Sequence, residues 1–188
     1  MSTTLIIILA IIAFFILIVI GIYNSLIRKR NEVENAFGGM DVQLKKRYDL
    51  IPNLVATVKQ YATHEKELLE KVTEMRGQAI GGNLSSDQKV ALDNQISAGM
   101  RSIMVAVENY PDLKANQNFM ELQHSLNEVE AQISASRRTY NAVITDYNNA
   151  IQVFPNSIVA GFMKLAKKEV FMINEVERQN VDVKSLFN

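Results

Sequence analysis

One uninterrupted apolar stretch near the N-terminus limits the folds that are open to this chain. From Leu5 to Tyr23 no residue is charged, and almost all are large aliphatic or aromatic residues. As an α-helix this stretch is about 28 Å long, close to the ~30 Å hydrocarbon core of a bilayer. A basic cluster, Arg28-Lys29-Arg30, follows it. We therefore predict a membrane-spanning helix that contacts the lipid bilayer. Its representative residues are Leu5, Ile12, Phe15, Ile20 and Tyr23.

A cleaved signal peptide and a buried core helix are the two alternatives to a membrane anchor. A signal peptide begins with basic residues and ends at a small-residue cleavage site. The four residues before Leu5 are uncharged, and no such site follows the apolar stretch. A core helix that is apolar all round needs a larger protein to surround it. Both alternatives therefore fit less well than an uncleaved anchor.

The basic residues near the span predict its orientation. Three of them, Arg28, Lys29 and Arg30, flank its C-terminal end, and none flanks its N-terminal end. Because flanking Lys and Arg residues favour the cytoplasmic side, we expect the rest of the chain to lie in the cytoplasm. We therefore expect a single-pass membrane protein.

Charge and cysteine content exclude several classes of function. The 188-residue chain has 20 basic and 20 acidic residues, so no overall field attracts nucleic acid, and we expect no nucleic-acid partner. The chain has no cysteine, which excludes disulfides, thiolate metal sites and thiol nucleophiles.

Apolar residues then recur every three or four positions, the spacing of helices that pack together. The first such seam begins with the four residues that we call the stem, Val33, Phe37, Met40 and Leu44. The seam continues past Pro52 without changing phase, which predicts one long helix over about 30–76, kinked near Pro52 and ended by Gly77.

Three further helices are predicted over about 86–108, 117–151 and 157–178, followed by a short irregular tail. Ser85 or Ser86 is a candidate cap for the first of them, with Gln88 as the partner of Ser85 in a capping box, and Asn116 is a candidate cap for the second. The inward residues of the first are Leu92, Ile96, Ile103 and Val107. The helix over 117–151 has a strict seam of Phe119, Leu122, Leu126, Val129, Ile133, Ser136, Tyr140, Val143, Tyr147 and Ala150. The predicted fold class is all-α: a transmembrane anchor over 1–27, then an elongated antiparallel four-helix bundle over 28–188.

Several short motifs occur along the chain in a specific order. They are Leu50-Ile51-Pro52-Asn53-Leu54, Glu108-Asn109-Tyr110-Pro111 followed by Asn116, Arg137 with Tyr140-Asn141, Tyr147-Asn148 and Phe154-Pro155. In order and spacing the chain resembles the LemA family of bacterial membrane-anchored helical proteins. The resemblance implies an N-terminal membrane helix and an antiparallel four-helix bundle. It implies no particular activity.

Residues that could carry chemistry are few. Glu121 and His124 have the Glu-x-x-His spacing of di-iron bundles, but the second copy of that motif is absent, and His64 does not supply it. The chain has neither a Gly-x-Ser-x-Gly nucleophile motif nor a complete phosphate-binding loop. We therefore expect no enzymatic activity, no cofactor and no metal.

One charged residue, Arg47, occupies a core position of the first seam. A buried guanidinium needs a charged partner, and Glu128 or Glu130 could supply it. We favour a role in fixing helix register over ligand binding. The polar motif residues are mostly explained as caps, turns or interhelical hydrogen bonds, and a shared binding surface is the alternative.

The predicted helix lengths leave the stem without a cover from its own chain. An apolar stripe in water is unfavourable, so we expect the stems of neighbouring copies to cover each other in a homo-oligomer. The expected function is a non-enzymatic scaffold or adaptor that self-associates and organises as yet unnamed partner proteins at the membrane. The alternative is a sensory or signalling module that couples the membrane to a partner.

Overall fold

Six helices make up the described part of the chain. The structure is a computed structural model and describes residues 2–62 and 64–171. The helices are α1 (Thr3–Lys59), α2 (Lys66–Gly81), α3 (Ser86–Val107), α4 (Pro111–Lys114), α5 (Gln117–Gln152) and α6 (Asn156–Phe162). These residues contain no strand, which confirms the all-α class with an apolar N-terminal helix. The predicted irregular tail lies outside the described residues.

The longest helix, α1, joins the apolar stretch to the core without interruption. Its 57 residues extend about 85 Å. By length and composition it is the one helix among the described residues that could cross a membrane, and the side chains from Leu5 to Ile20 are exposed. Side-chain burial begins at Leu26. Pro52 lies inside the helix, as predicted.

Helix α5 runs antiparallel to α1 along nearly the whole buried part of α1. Residues further along α1 contact residues that lie equally far back along α5. Phe37 contacts Tyr140, Arg47 contacts Glu130, and Tyr61, just after α1, contacts Asn116. The 36 residues of α5 extend about 54 Å, which takes this helix from the far end of α1 back to the apolar stretch.

The prediction of one helix over 30–76 is wrong. The chain leaves α1 at Lys59, turns, and folds back as α2, so that Arg76 lies beside Tyr48. The seam kept its phase because the two arms of a helical hairpin both present apolar residues to the same core. The turn includes Glu65, a polar residue in a core position of the seam. Gly77 does not end α2, which continues to Gly81.

Helix α3 returns parallel to α1 and packs closely on α2. Its predicted inward residues Leu92, Ile96, Ile103 and Val107 are all buried. At Gly99 a Cβ atom would lie 2.7 Å from Cγ2 of Val72, so this position requires glycine for the close approach of the two helices. The predicted capping box of Ser85 and Gln88 is present at the start of α3.

The buried face of α5 drifts by one residue along its length. Phe119, Leu122, Leu126 and Ile133 are buried as predicted. Beyond Tyr140 the buried residues are Ile144, Tyr147 and Ile151, whereas Val143 and Ala150 are only partly buried. A straight α-helix drifts about 20° per heptad relative to a strict seven-residue repeat, which accounts for the shift after three heptads.

The last helix is much shorter than the predicted 157–178. Helix α6 ends at Phe162, and residues 163–171, which we call the strap, are not helical. Lys164 has a φ of 53°, Leu165 N–H donates to Ala160 O, and Lys164 N–H donates to Gly161 O. These bonds form a Schellman motif with lysine where glycine is usual, so no glycine marks the helix end. The rest of the predicted helix lies outside the described residues.

Candidate functional site

A buried ion network links α1, α3 and α5. Arg47 is 1% exposed, and its Nη1 donates to Glu130 Oε2 at 2.7 Å and to Ser97 Oγ at 2.8 Å. The predicted pairing of Arg47 with Glu130 is therefore confirmed, whereas Glu128 accepts from Gln132 instead. Burial lowers the pKa of Arg47, and the negative charge of Glu130 opposes that shift.

The sequence analysis missed the acidic centre of this network, Asp93. Its side chain is fully buried, and its two carboxylate oxygens pair with Arg47 Nη2 and with Arg137 Nη2. The network therefore contains two cations, Arg47 and Arg137, and two carboxylates, Asp93 and Glu130, so its charges cancel. A self-neutralising arrangement of this kind fixes the register of three helices. A cleft of about 270 Å³ between α3 and α5 reaches Arg47 and Glu130.

The motif proline has a partner on the neighbouring helix. Pro52 has no N–H, so the carbonyl of Tyr48, four residues earlier, lacks its usual helical donor. Arg76 of α2 donates from Nε to that carbonyl at 2.7 Å. The proline therefore creates an acceptor that positions the α1–α2 hairpin, a role that the sequence alone did not reveal. Ile51 and Leu54 on either side are fully buried, Leu50 packs against the core, and Asn53 is exposed.

The stem is covered by its own chain, which corrects the predicted self-association surface. Val33, Met40 and Leu44 are at most 1% exposed, and the ring of Phe37 packs on Tyr140 of α5, with 5.7 Å between ring centroids. The prediction failed because it placed the chain reversal after Arg76. With the reversal at Lys59, α5 is long enough to reach the end of the anchor.

Two motif asparagines of α5 hold the strap. Asn148 pairs with Lys168 through both backbone groups, at 2.9 Å for Lys168 N–H to Oδ1 and 2.8 Å for Nδ2 to the carbonyl. Asn141 pairs in the same way with Phe171, at 2.7 and 2.9 Å. Asn141 and Asn148 are seven helical residues apart, a rise of about 10.5 Å, and Lys168 and Phe171 are three extended residues apart, about 10 Å. The spacing of the two asparagines therefore matches the spacing of the strap residues that they bind.

Aromatic and hydroxyl contacts complete the strap site. Phe171 and Tyr140 pack in a T-shaped arrangement, with 5.5 Å between ring centroids, and the guanidinium carbon of Arg137 lies over the Phe171 ring, 5.6 Å from its centroid. Tyr147 donates its hydroxyl to Ala166 O at 3.1 Å, and burial raises the pKa of Tyr147. The structure thus brings five motif residues of α5 together as a binding surface for an extended peptide segment, which here is the chain's own.

The motif between α3 and α5 builds a turn. Glu108 pairs with Lys114, Tyr110 precedes α4, and Pro111 occupies the first position of that helix. Asn116 caps α5, as predicted: its Oδ1 accepts from Phe119 N–H at 3.1 Å, and its Nδ2 donates to the Tyr61 hydroxyl at 3.0 Å.

The basic cluster after the span lies where α6 and the strap meet α1. Lys29 pairs with Glu32 at 2.9 Å, and this hydrogen bond raises the pKa of Lys29. Arg30 lies 3.8 Å from Glu34. Phe154 and Pro155 precede α6, and the Phe154 side chain is exposed.

The described residues contain no group of three or more His, Asp or Glu side chains that could hold a metal ion. Glu121, His124 and His64 are all exposed. Glu121 accepts a hydrogen bond from Gln117, one turn earlier on the same helix.

Comparison with known proteins agrees with this architecture. The LemA family model matches residues 36–185. Protein LemA of Metamycoplasma hominis is 29% identical over 177 residues, which cover 94% of this chain and 81% of that protein. Magnetosome protein MamQ 2 of Paramagnetospirillum magneticum and Magnetosome protein MamQ of Magnetospirillum gryphiswaldense are 22% and 20% identical over 174 residues. The matches cover 79% of this chain but 64% of each magnetosome protein, so the chain spans less than two thirds of those relatives.

The matched region contains the Pro52 motif, the ion network and the asparagines that hold the strap. Because the family model covers well over half of the sequence, the chain belongs to the LemA family.

Proposed function

We propose that this protein is a non-enzymatic scaffold or adaptor of the bacterial inner membrane that self-associates and organises partner proteins. The observation that carries the proposal is the continuity of α1, which contains both the exposed apolar segment and the buried seam of the core. Because no linker separates the two, the elongated helical bundle is held in a fixed relation to the membrane.

The way in which the buried polar groups are used supports a structural role. Arg47, Asp93, Arg137 and Glu130 neutralise each other, while Asn116 caps a helix and Asn141 and Asn148 hold backbone. Catalytic sites usually keep ionisable groups poised towards an open pocket. Here Arg47, Arg137, Asn141 and Asn148 are all paired with groups of the chain itself, including Arg47, which the cleft between α3 and α5 reaches.

A groove at the α1–α2 turn offers a surface for self-association. It encloses about 620 Å³ and is lined by Val55, Ala62 and Leu69, with two lysines and two glutamates at its sides. Lys59 and Lys66 lie nearest the turn, and Glu70 and Glu74 lie further along α2. Two copies anchored in the same membrane are related by a twofold axis along the membrane normal, so their grooves lie at the same height and the apolar walls of the grooves can face each other. We therefore place the self-association surface here, instead of at the stem.

Light scattering of the full-length protein in mild detergent tests this assembly. We expect the parent to form a defined oligomer, and Val55→Lys to dissociate it by placing a charge on the apolar wall of the groove. Val42→Lys is the matched control, because Val42 is exposed on α1 but does not line the groove. A monomeric parent, or equal dissociation by the control, would refute the surface.

Thiol labelling of intact cells tests the cytoplasmic orientation. The chain has no cysteine, so each introduced cysteine is the only thiol. We expect Asn83→Cys, between α2 and α3, to be protected from a membrane-impermeant reagent, and Ser2→Cys to be labelled. The reverse pattern would place the helical bundle outside the cell.

The continuity of α1 also favours a second candidate, a sensory module in which a displacement of the span is transmitted to the core. The two functions differ in how partners behave. A scaffold retains its partners on isolated membranes, whereas a sensory module exchanges them when a stimulus is applied. Crosslinking of partners on membranes, before and after such a stimulus, separates the two.

A further inference from the structure

The exposed apolar side chains outside the predicted span are concentrated at the turn between α5 and α6. Phe154 is 81% exposed, Ile158 54% and Phe162 86%. The four-residue spacing of Ile158 and Phe162 places both on one side of α6, because residues four apart lie on the same face of a helix, and Phe154 lies in the turn just before the helix. From Val153 to Met163 the chain has no charged residue. A face of this kind is unfavourable in water and needs an apolar partner.

The position of α6 along α1 identifies that partner. Ile158, Phe162 and Met163 line one cleft of about 560 Å³ together with Val19 and Tyr23, which belong to the last turns of the span. The opposite face of α6 is occupied, since Val159 and Ala160 are buried against the core. The exposed face therefore lies at the depth where the span leaves the hydrocarbon region.

The charges at this level match a lipid surface. Arg28, Lys29 and Arg30 follow the span on α1, and Lys164, Lys167 and Lys168 follow α6 on the strap. The Asn148–Lys168 pairing holds the strap beside this end of α1. Basic residues next to an apolar interfacial face are the pattern that binds lipid headgroups while the apolar side chains enter the acyl region.

We propose that α6 and the preceding turn form a second membrane-contacting element, which lies in the leaflet that the C-terminal end of the span enters. Phe154, Ile158 and Phe162 contact acyl chains, and the cleft between α6 and the span holds part of one acyl chain. The lysines of the strap contact phospholipid headgroups. The helical bundle is then attached to the bilayer at two places, the span and α6, whichever partners it organises.

Depth-dependent fluorescence quenching of the full-length protein in vesicles tests this placement. A fluorophore on Phe162→Cys is compared with one on Val105→Cys, an α3 position that is 70% exposed and far from the span. The vesicles contain phosphatidylcholine and phosphatidylglycerol, with brominated phosphatidylcholine as the lipid quencher and iodide as the aqueous quencher. Phe15→Cys, in the span, is the reference for lipid contact.

We expect bromolipid to quench the Phe162 label to a degree comparable with the Phe15 label, and iodide to quench the Val105 label several-fold more than the Phe162 label. A Phe162 label that behaves like the Val105 label overturns the proposal. Phe154→Cys precedes α6 and repeats the test if Phe162→Cys does not fold. Because the readout is depth in the bilayer, its failure leaves the scaffold proposal standing.

Discussion

The two halves of the α1–α5 pair are covered by different means. Far from the apolar stretch, α2 and α3 pack over the pair, with Arg47 and Asp93 paired in the interior and Gly99 allowing close approach. Near the apolar stretch no third long helix is present among the described residues, and the pair is covered by the strap, held by Asn141 and Asn148. The distal half therefore depends on buried charge and tight packing, and the proximal half on backbone hydrogen bonds from side chains. Mutations should separate the two halves.

The largest effect is expected in the distal half, at Asp93. Asp93→Ala leaves Arg47 and Arg137 without their shared counter-charge, and should cost about 3–5 kcal/mol in the free energy of unfolding. Denaturant unfolding followed by circular dichroism measures the change. The matched control is Asp49→Ala, which removes an exposed pair with Lys45 and should cost less than about 1 kcal/mol.

Neutralising the cations as well should recover most of the lost stability. The triple variant Arg47→Met/Asp93→Leu/Arg137→Met replaces the network by apolar groups, an exchange that is often neutral in proteins. If Asp93→Ala and Asp49→Ala had the same stability, the network would contribute nothing to the fold.

A smaller effect is expected from two glycines of the distal helices. Gly99→Ala places a Cβ against Val72, and overpacking of this kind costs about 1–3 kcal/mol. Gly77→Ala meets nothing within 4 Å in the interior of α2, and should stabilise the protein by about 0.5–1 kcal/mol. Thermal melts of the two variants should therefore shift in opposite directions, and a shared direction would contradict the packing described for α2 and α3.

In the distal half, the sequence predicted which residues are buried but not where the chain reverses direction. The spacing of Arg47 with its apolar neighbours predicted its burial, and burial required a carboxylate partner, for which Glu128 and Glu130 were both candidates. The hairpin at Lys59 could not be predicted, because the seam continues through both arms. Asp93 was within reach: a buried Arg47 needs carboxylates, and Asp93 lies next to Leu92 on the inward face of α3.

The proximal half was less predictable because its signals are geometric. Helix α6 is ended by Lys164, which has a left-handed backbone conformation although it is not a glycine. The strap is held because the spacing of Asn141 and Asn148 matches that of an extended backbone. The sequence showed the two asparagines as motif residues, but it did not show that they bind a segment of the same chain.

In the proximal half, removing one asparagine should release the strap alone. Asn148→Ala deletes two hydrogen bonds to Lys168, and should cost about 1–2 kcal/mol. Hydrogen exchange measures the effect: amide protection should fall around Lys168 and remain unchanged in α2 and α3. Asn149→Ala is the control, because the neighbouring Asn149 is exposed. Loss of protection throughout the chain would show that the two halves are not separable.

The smallest effects compare two buried tyrosines, one in each half. Among the described residues the Tyr48 hydroxyl is buried without a hydrogen-bond partner, whereas the Tyr147 hydroxyl donates to the strap at Ala166 O. At neutral pH, Tyr48→Phe should therefore be neutral or stabilising by up to about 1 kcal/mol, and Tyr147→Phe should cost about 1 kcal/mol. Chemical denaturation of both variants, with the parent as reference, measures the difference in sign.

At alkaline pH both Tyr→Phe variants should gain stability relative to the parent, because burial raises the pKa of both tyrosines. Burial raises the pKa of Tyr48 above 10.0, with Asp41 adding to the shift and Arg47 opposing it. The unfolded chain loses this proton first, so the stabilisation is complete below pH 10 and is lost as pH rises through the raised pKa. Tyr48→Phe has no hydroxyl to ionise at this position, so its free energy of unfolding should exceed that of the parent by a growing amount above pH 10. For Tyr147→Phe the deficit should shrink over the same range, since burial also raises the pKa of Tyr147. A constant difference between Tyr48→Phe and the parent across that range would show that Tyr48 ionises as easily in the folded protein as in the unfolded chain.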